Sequence, residues 1–158
     1  MFYPLFIRPS VESDVLPLGK IFVEADIFLS DNGITEWPEG YPAPGELAAL
    51  AQNGMLFSVT DHRDVPLGCF CLESNNGALV IKNAVLDRAH RGQGCFATVL
   101  RYVERQARAE SLSAVAAETG ESNFIARQAL VRERYRMMGE RVLPDGRRVV
   151  RYEKPVQV

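Results

Sequence analysis

The spacing of apolar residues along the chain switches between a period of two and a period of three to four, and the switches predict its elements. PLFIRPS, residues 4–10, predicts a short first strand. SDVLPLGKIFVEADIFLS, residues 13–30, puts Leu18, Ile21, Phe22, Ala25, Phe28 and Leu29 on one helical face. Ser13 or Asp14 is placed to cap that helix, and Pro17 falls in the first turn, where a missing N–H is tolerated. DNGITEWPEGYPAPG, residues 31–45, is a loop by its Gly and Pro content, yet it carries the only tryptophan, Trp37, together with Tyr41. ELAALAQN reads as a short helix, and GMLFSVTD and PLGCFCLES as two strands joined across DHRDV. ALVIKNAVLD follows the NNG turn as a further strand. Gly94 to Ala109 is an amphipathic helix with Phe96, Val99, Leu100, Val103 and Ala107 on one stripe. LSAVAAE is an unalternating apolar run, the mark of a strand buried on both faces. ESNFIARQALVRERYRMM, residues 121–138, predicts another helix, and ERVLPDGRRVVRYEK a hairpin turning at PDG.

The predicted order is β-α-α-β-β-β-α-β-α-β-β. Ala78 to Glu118 forms a strand, glycine turn, helix, strand unit, whose two strands run parallel through a right-handed crossover. The hairpins make the rest of the sheet antiparallel, so the class is α+β. At 158 residues the chain is expected to fold as a single domain, residues 1–158, with a proper core. No apolar run approaches the roughly 18 residues of a spanning helix, and MFYPLFIRPS lacks the basic start of a signal peptide; no membrane partner and a cytoplasmic location are expected. Cys69, Cys71 and Cys95 are an odd number at no metal-binding spacing, which predicts reduced thiols and no metal. Cys69 and Cys71 share one face of a strand and read as core.

Charge adds one feature. Residues 1–80 carry three basic and eleven acidic side chains, whereas residues 81–158 carry fifteen and nine. Two readings stand: solvated helix faces, or an anionic ligand held by the second half and a cationic one near the first. The basic residues form no run and no interleaving with aromatics, so nucleic acid is not an expected partner.

The candidate chemistry sits in DRAHRGQGCFATVL, residues 87–100. Arg91, Gly92, Gln93 and Gly94 lie between a strand end and the first turn of a helix, where four N–H groups lack an internal partner. Glycines let a ligand approach those groups, and the helix dipole favours an anion there, phosphate above all. A P-loop would need Gly-Lys-Ser/Thr, but the chain has Gly94-Cys95-Phe96. A dinucleotide fingerprint would need glycine at Ala97. A turn that merely reverses the chain is the structural alternative.

AVLDRAHRGQGCFATVL resembles motif A of the GNAT superfamily of acyl-CoA-dependent N-acetyltransferases. The family pattern is Gln/Arg-x-x-Gly-x-Gly/Ala; Arg91 and Gly94 match it, and Phe96 stands where a small residue is usual. TGESN before a helix, YRMMGER, FIRPSVESDV and the Trp…Tyr-Pro loop GITEWPEGYP resemble further family stretches, so the likeness spans nearly the whole chain. The resemblance implies a three-layer α/β/α arrangement with one splayed parallel strand pair. It implies acetyl-CoA as acyl donor, with the backbone of Ala84, Val85 and Leu86 holding the pantetheine arm. The amides of Arg91, Gly92, Gln93, Gly94, Cys95 and Phe96 would then bind the diphosphate, with Asn123 near the thioester arm or, alternatively, as a helix cap. Many members of the family are dimers, so a homodimer is a candidate assembly.

The implied reaction is attack by a primary amine of a small molecule or peptide on the thioester. Baring an alkylammonium of pKa ~10.4 at neutral pH costs about 4–5 kcal/mol. Glu118 and Glu73, at strand ends, and Glu36, in the Trp37 loop, are the candidate bases. Tyr135 lies four residues before Gly139, as the family's thiolate-protonating tyrosine does. Twelve residues separate it from Asn123 where the resemblance implies about seven, and the excess turns a helix by about 140°. Either an irregularity absorbs the excess, or Leu130 occupies the tyrosine's place. Cys95, at a helix start, is a nucleophile candidate or a small packing residue. His62 and His90 read as surface residues. Glu36, Trp37 and Tyr41 are the expected acceptor-pocket residues, or a lid packed down on the core. A CoA-binding regulatory module without chemistry is the alternative function, and a structural domain the third.

Overall fold

The computed structural model describes residues 4–92 and 94–156, so the expectation for Gln93 lies outside the described residues. The elements come in the anticipated order: β1 (Phe6–Pro9), α1 (Val15–Asp31), α2 (Glu46–Gln52), β2 (Leu56–Thr60), β3 (Pro66–Asn75), β4 (Ala78–Leu86), α3 (Cys95–Ala109), β5 (Ala114–Gly120), α4 (Phe124–Arg132), β6 (Arg136–Val142) and β7 (Arg148–Pro155). The strands form one sheet in the order β1-β2-β3-β4-β5-β7-β6. The β4–β5 pair is parallel and every other neighbouring pair antiparallel. Among the described residues, no helix is long and apolar enough to cross a membrane.

The two-residue period of the strands divides the core between two faces. Phe70, Leu72, Leu79, Ile81, Val115 and Ala117 meet the stripe of α3 (Val99, Leu100, Val103, Ala107) and Leu130 of α4. On the opposite face Leu56, Cys69, Cys71 and Val85 meet Leu18, Phe22 and Ala25 of α1 and Leu47 of α2. Fully burying a side chain such as Leu100 or Val103 is worth about 1.5–3 kcal/mol. The sheet is therefore covered by helices on both sides, with α1 and α2 on one and α3 and α4 on the other.

Two local readings change. Asp14 is the residue at the N-terminus of α1, but its carboxylate does not cap that helix. It is buried and accepts from Arg8 Nη1 (2.7 Å) and Nη2 (3.0 Å), Ser58 Oγ (2.9 Å) and the Val11 amide (2.9 Å), tying β1, β2 and the helix start together. The helix expected over 121–138 is α4 alone, ending at Arg132. Arg134 turns into the left-handed region (φ 70°), and the Tyr135 amide donates back to the Leu130 carbonyl at 2.9 Å. This is a helix-ending turn of the kind glycine usually makes. The chain leaves it extended, as β6.

Candidate active site

Parallel pairing of β4 with β5 runs from Ala78↔Ala114 to Ile81↔Ala117 and stops. Beyond it β4 stays paired to β3 (Cys69↔Val85, Gly68↔Leu86), while among the described residues no strand pairs with its other edge there. The cause of the divergence is local. Lys82 pairs with Cys71 and Val85 with Cys69, so Asn83 and Ala84 together face the single residue Phe70. The extra residue is a bulge, which bends a strand and increases its twist. Asn83 takes the left-handed conformation there (φ 55°).

After Leu86 the chain makes one tight turn, Arg88–His90, capped by Asp87, which accepts from the His90 amide at 3.1 Å. Gly92 (φ 74°) and Gly94 (φ 77°) follow, and a Cβ on either would meet nothing within 4 Å. Their backbone conformation calls for glycine, while the space around them is open. Gly94 precedes α3 without supplying any side-chain cap, so the first amides of α3 have no side-chain acceptor at that position. The Arg91 side chain does not face this corner alone. Its Nε donates to the Leu86 carbonyl (3.2 Å), its Nη2 pairs with Glu24 of α1, and its guanidinium lies 4.7 Å from the Phe28 ring centre.

These elements enclose one cavity of about 2000 Å³ that passes through the sheet where β4 and β5 diverge. That is roughly twice the upper range of a single small-ligand site. On the α3/α4 side its lining includes Phe96, Thr98, Ala126 and Leu130, with Arg88, Arg101 and Arg132 at its rim. On the α1/α2 side it includes Leu16, Val23, Ile27, Trp37 and Leu47, with Glu12, Asp31 and Glu36. Between them lie Lys82, Asn83, Ala84, Val85, Leu86 and Glu118. The charge asymmetry of the two halves of the sequence thus becomes an asymmetry of the two walls.

The candidate bases are all engaged. Burial pushes the Glu118 carboxyl upward, but hydrogen bonds from Arg141 (3.1 and 3.2 Å) and the charges of Arg141, Lys82 and Arg151 bring it below its ordinary value. Glu73 pairs with Lys82 at 3.0 Å. Glu36 accepts from Thr119 Oγ1 (2.9 Å), the Gly120 amide (2.9 Å) and Asn123 Nδ2 (2.8 Å), which straps the Trp37 loop to the end of β5. Asn123 also caps α4, accepting from the Ala126 amide at 3.1 Å, so its structural reading holds in the structure. Trp37 is 6% exposed and packs edge-on against Phe22, with Tyr41 stacked on it at 6.0 Å between ring centres. Trp37 lines the cavity; Tyr41 is not among its lining residues.

The structure separates Tyr135 from the cleft. It is 3% exposed, and its hydroxyl donates to Glu104 Oε2 of α3 at 2.8 Å. Burial, then that hydrogen bond and the Glu104 charge, push the phenol far above its usual range. Leu130 lines the cavity instead, so of the two readings of the Asn123–Tyr135 spacing, the geometry matches the one that puts leucine in the tyrosine's place. Burial first, then the Asp87 charge, raise the Cys95 thiol rather than lower it, which agrees with the reading of Cys95 as a packing residue. Cys69 and Cys71 are core residues, as expected.

The diverging parallel strand pair and the glycine-flanked start of α3 thus open on one cavity. The family model described as the Acetyltransferase (GNAT) family matches residues 25–134, and the chain belongs to that family. No curated protein matches the sequence. Among solved structures the chain is similar to a GNAT-family acetyltransferase from Listeria monocytogenes (TM-score 0.75, 15% identity, 96% of this chain and 95% of that one). It is also similar to an N-acetyltransferase from Staphylococcus aureus (TM-score 0.74, 16% identity, 98% and 99%). A candidate streptothricin acetyltransferase from Bacillus anthracis, solved with acetyl coenzyme A, aligns over 65% of this chain and 63% of its own (TM-score 0.58, 14% identity).

Proposed function

We propose that the protein transfers the acetyl group of acetyl-CoA to a primary amine of a small molecule or peptide, with both held at once in the cleft. The observation that carries this reading is the passage of the cavity through the sheet between β4 and β5, which lets a donor and an acceptor meet from opposite faces. The residues present fit the donor. The open edge of β4 at Ala84, Val85 and Leu86 offers main-chain groups to the amides of a pantetheine arm. The corner formed by Arg91, Gly92, Gly94, Cys95 and Phe96 offers amides and open space to a diphosphate, and Arg88 and Arg132 offer counter-charge. Acetyl-CoA supplies an acyl group already activated as a thioester.

The N–C bond forms as the C–S bond breaks; CoA leaves as its thiolate, which solvent protonates, and the amine proton passes to water. Placement of the two reactants supplies most of the acceleration. Glu118 is ionised at neutral pH but weakly basic, because its cations hold its proton affinity down, so it is a poor acceptor for the amine proton. Departure of the sulfur proceeds without Tyr135. A thiol of pKa about 8.5 leaves as thiolate at neutral pH at a cost of about 2 kcal/mol, which solvent protonation recovers.

The hydroxyl of Tyr135, committed to Glu104, supports a second reading: a CoA-binding regulatory module. Two measurements decide. Calorimetry with acetyl-CoA tests the cleft, and thiol release across a panel of amines tests the chemistry. Binding with turnover supports the transferase, and binding without turnover the regulatory module. No heat at millimolar acetyl-CoA rejects both.

A further inference from the structure

The bulge in β4 also changes which way its side chains face. In a regular strand consecutive side chains point to opposite faces. Here Lys82 and Asn83 turn the same way. Lys82 Nζ reaches Glu73 (3.0 Å) and Glu118 (3.7 Å), while Asn83 touches the Cys71 thiol, which belongs to the core under α1 and α2. Ala84, the next residue, packs against the α3/α4 core. The bulge thereby adds one polar side chain to the acceptor side of the cavity at the point where β4 and β5 separate.

The charged groups near that point are already bound. Glu36 has three donors, Glu118 has Arg141 and Lys82, and Lys82 has two carboxylates. Asn83 is half-buried, and its side chain meets the Cys71 sulfur, a weak hydrogen-bonding partner. Among the described residues the Asn83 carboxamide makes no side-chain hydrogen bond to a nitrogen or oxygen, so its carbonyl oxygen is open to another donor at the cavity. A non-glycine residue held left-handed beside a ligand cavity is also the kind of local strain that collects at functional positions.

Resting on the transferase reading, we infer that Asn83 is an acceptor-binding residue: its Oδ1 takes an N–H of the incoming primary amine and holds the nitrogen where β4 and β5 separate. The amine's lone pair is left to face the acyl carbon. A neutral carboxamide does this over the whole pH range in which the amine gains and loses its proton.

The test separates the side chain from its backbone. Asn83→Gly keeps a residue that accepts φ 55° without strain and removes only the carboxamide. Asn83→Asp tolerates the same conformation and keeps an acceptor oxygen. Steady-state kinetics with the best amine of the panel, and calorimetry with acetyl-CoA, are run on all three proteins. The expected result for Asn83→Gly is an amine KM raised roughly fivefold, the loss of one hydrogen bond, with acetyl-CoA affinity unchanged. Asn83→Asp returns the amine KM to within about threefold of the parent. An unchanged amine KM in Asn83→Gly overturns the inference, as does a parallel loss of acetyl-CoA affinity, which would mark a backbone effect. An Asn83→Asp protein as impaired as Asn83→Gly overturns the assignment of the carbonyl oxygen. A parent protein that binds acetyl-CoA and acetylates no amine refutes the transferase reading itself, and the inference goes with it.

Discussion

At the scale of single residues the largest stake lies in groups buried with their charge. Asp14 is 3% exposed, and desolvation alone would raise its pKa, but Arg8, the Val11 amide and Ser58 carry it below its ordinary value. A carboxyl whose folded pKa is depressed stabilises the fold above its unfolded pKa of about 3.9, and that contribution is lost as pH falls through the folded value. Asp14→Asn is expected to cost about 2–3 kcal/mol at pH 7, since it leaves the partly exposed Arg8 without its buried partner. The difference between the two proteins should shrink as pH falls below about 4, read from urea denaturation across pH. A constant difference down to a pH of about 2.5 would show that the charge of Asp14 is not what matters. Nothing in the run VESDV separates this aspartate from an ordinary helix cap. Its real partners, Arg8 of β1 and Ser58 of β2, become its neighbours only when the sheet forms. The role of Asn83 was hidden for a similar reason: IKNAV reads as a continuous strand, and a bulge leaves no composition of its own.

At the scale of elements the sequence was most legible where one face is buried. The stripe of α3 and the unbroken LSAVAAE run marked their elements directly, because burial on one or both sides leaves a period in the sequence. It was least legible at the junction of α4 and β6. Arginine rather than glycine makes the left-handed turn at 134, and nearly every residue of β6 is exposed, so neither a stop signal nor an alternation marked the change. Tyr135, expected within that helix, therefore lies just past its end. Tyr135→Phe is expected to destabilise the fold by about 1.5–3 kcal/mol, because buried Glu104 loses a donor and keeps only Lys154. It should change kcat less than about twofold; a loss of roughly a hundredfold or more in kcat, with stability intact, would restore the tyrosine to the chemistry. The strap over the Trp37 loop offers a second element-level test. A Cβ on Gly120 would lie 2.5 Å from the Thr35 carbonyl and 3.0 Å from Glu36 Oε2. Gly120→Ala must therefore lift residues 32–45 from the end of β5. Trp37 is the only tryptophan, so its emission reports that segment alone. A shift to longer wavelength together with a higher amine KM is expected; unchanged emission would mean the strap yields without moving the loop.

At the scale of the whole molecule the chain carries opposite charge in its two halves, and the fold turns those halves into opposing walls of one cleft. Arg88 and Arg132 are exposed and line the α3/α4 wall. A highly anionic donor on that wall would meet them both. Exposed charges act weakly one at a time, about 1 kcal/mol or less each, and reversal both removes an attraction and adds a repulsion. The double variant Arg88→Glu, Arg132→Glu is therefore expected to weaken acetyl-CoA binding roughly tenfold to thirtyfold. Because these charges are solvent-exposed, added salt should erode the parent's affinity more than the variant's, so the two dissociation constants converge as salt rises to about 1 M. Thermal stability should stay within about 1 kcal/mol, since neither arginine supports the core. Calorimetry at low and high salt, with a thermal melt of each protein, measures all of this on the intact chain. Equal affinities at low salt would show that the basic wall does not face the donor, and the meaning of the charge asymmetry would revert to solvated helix surfaces.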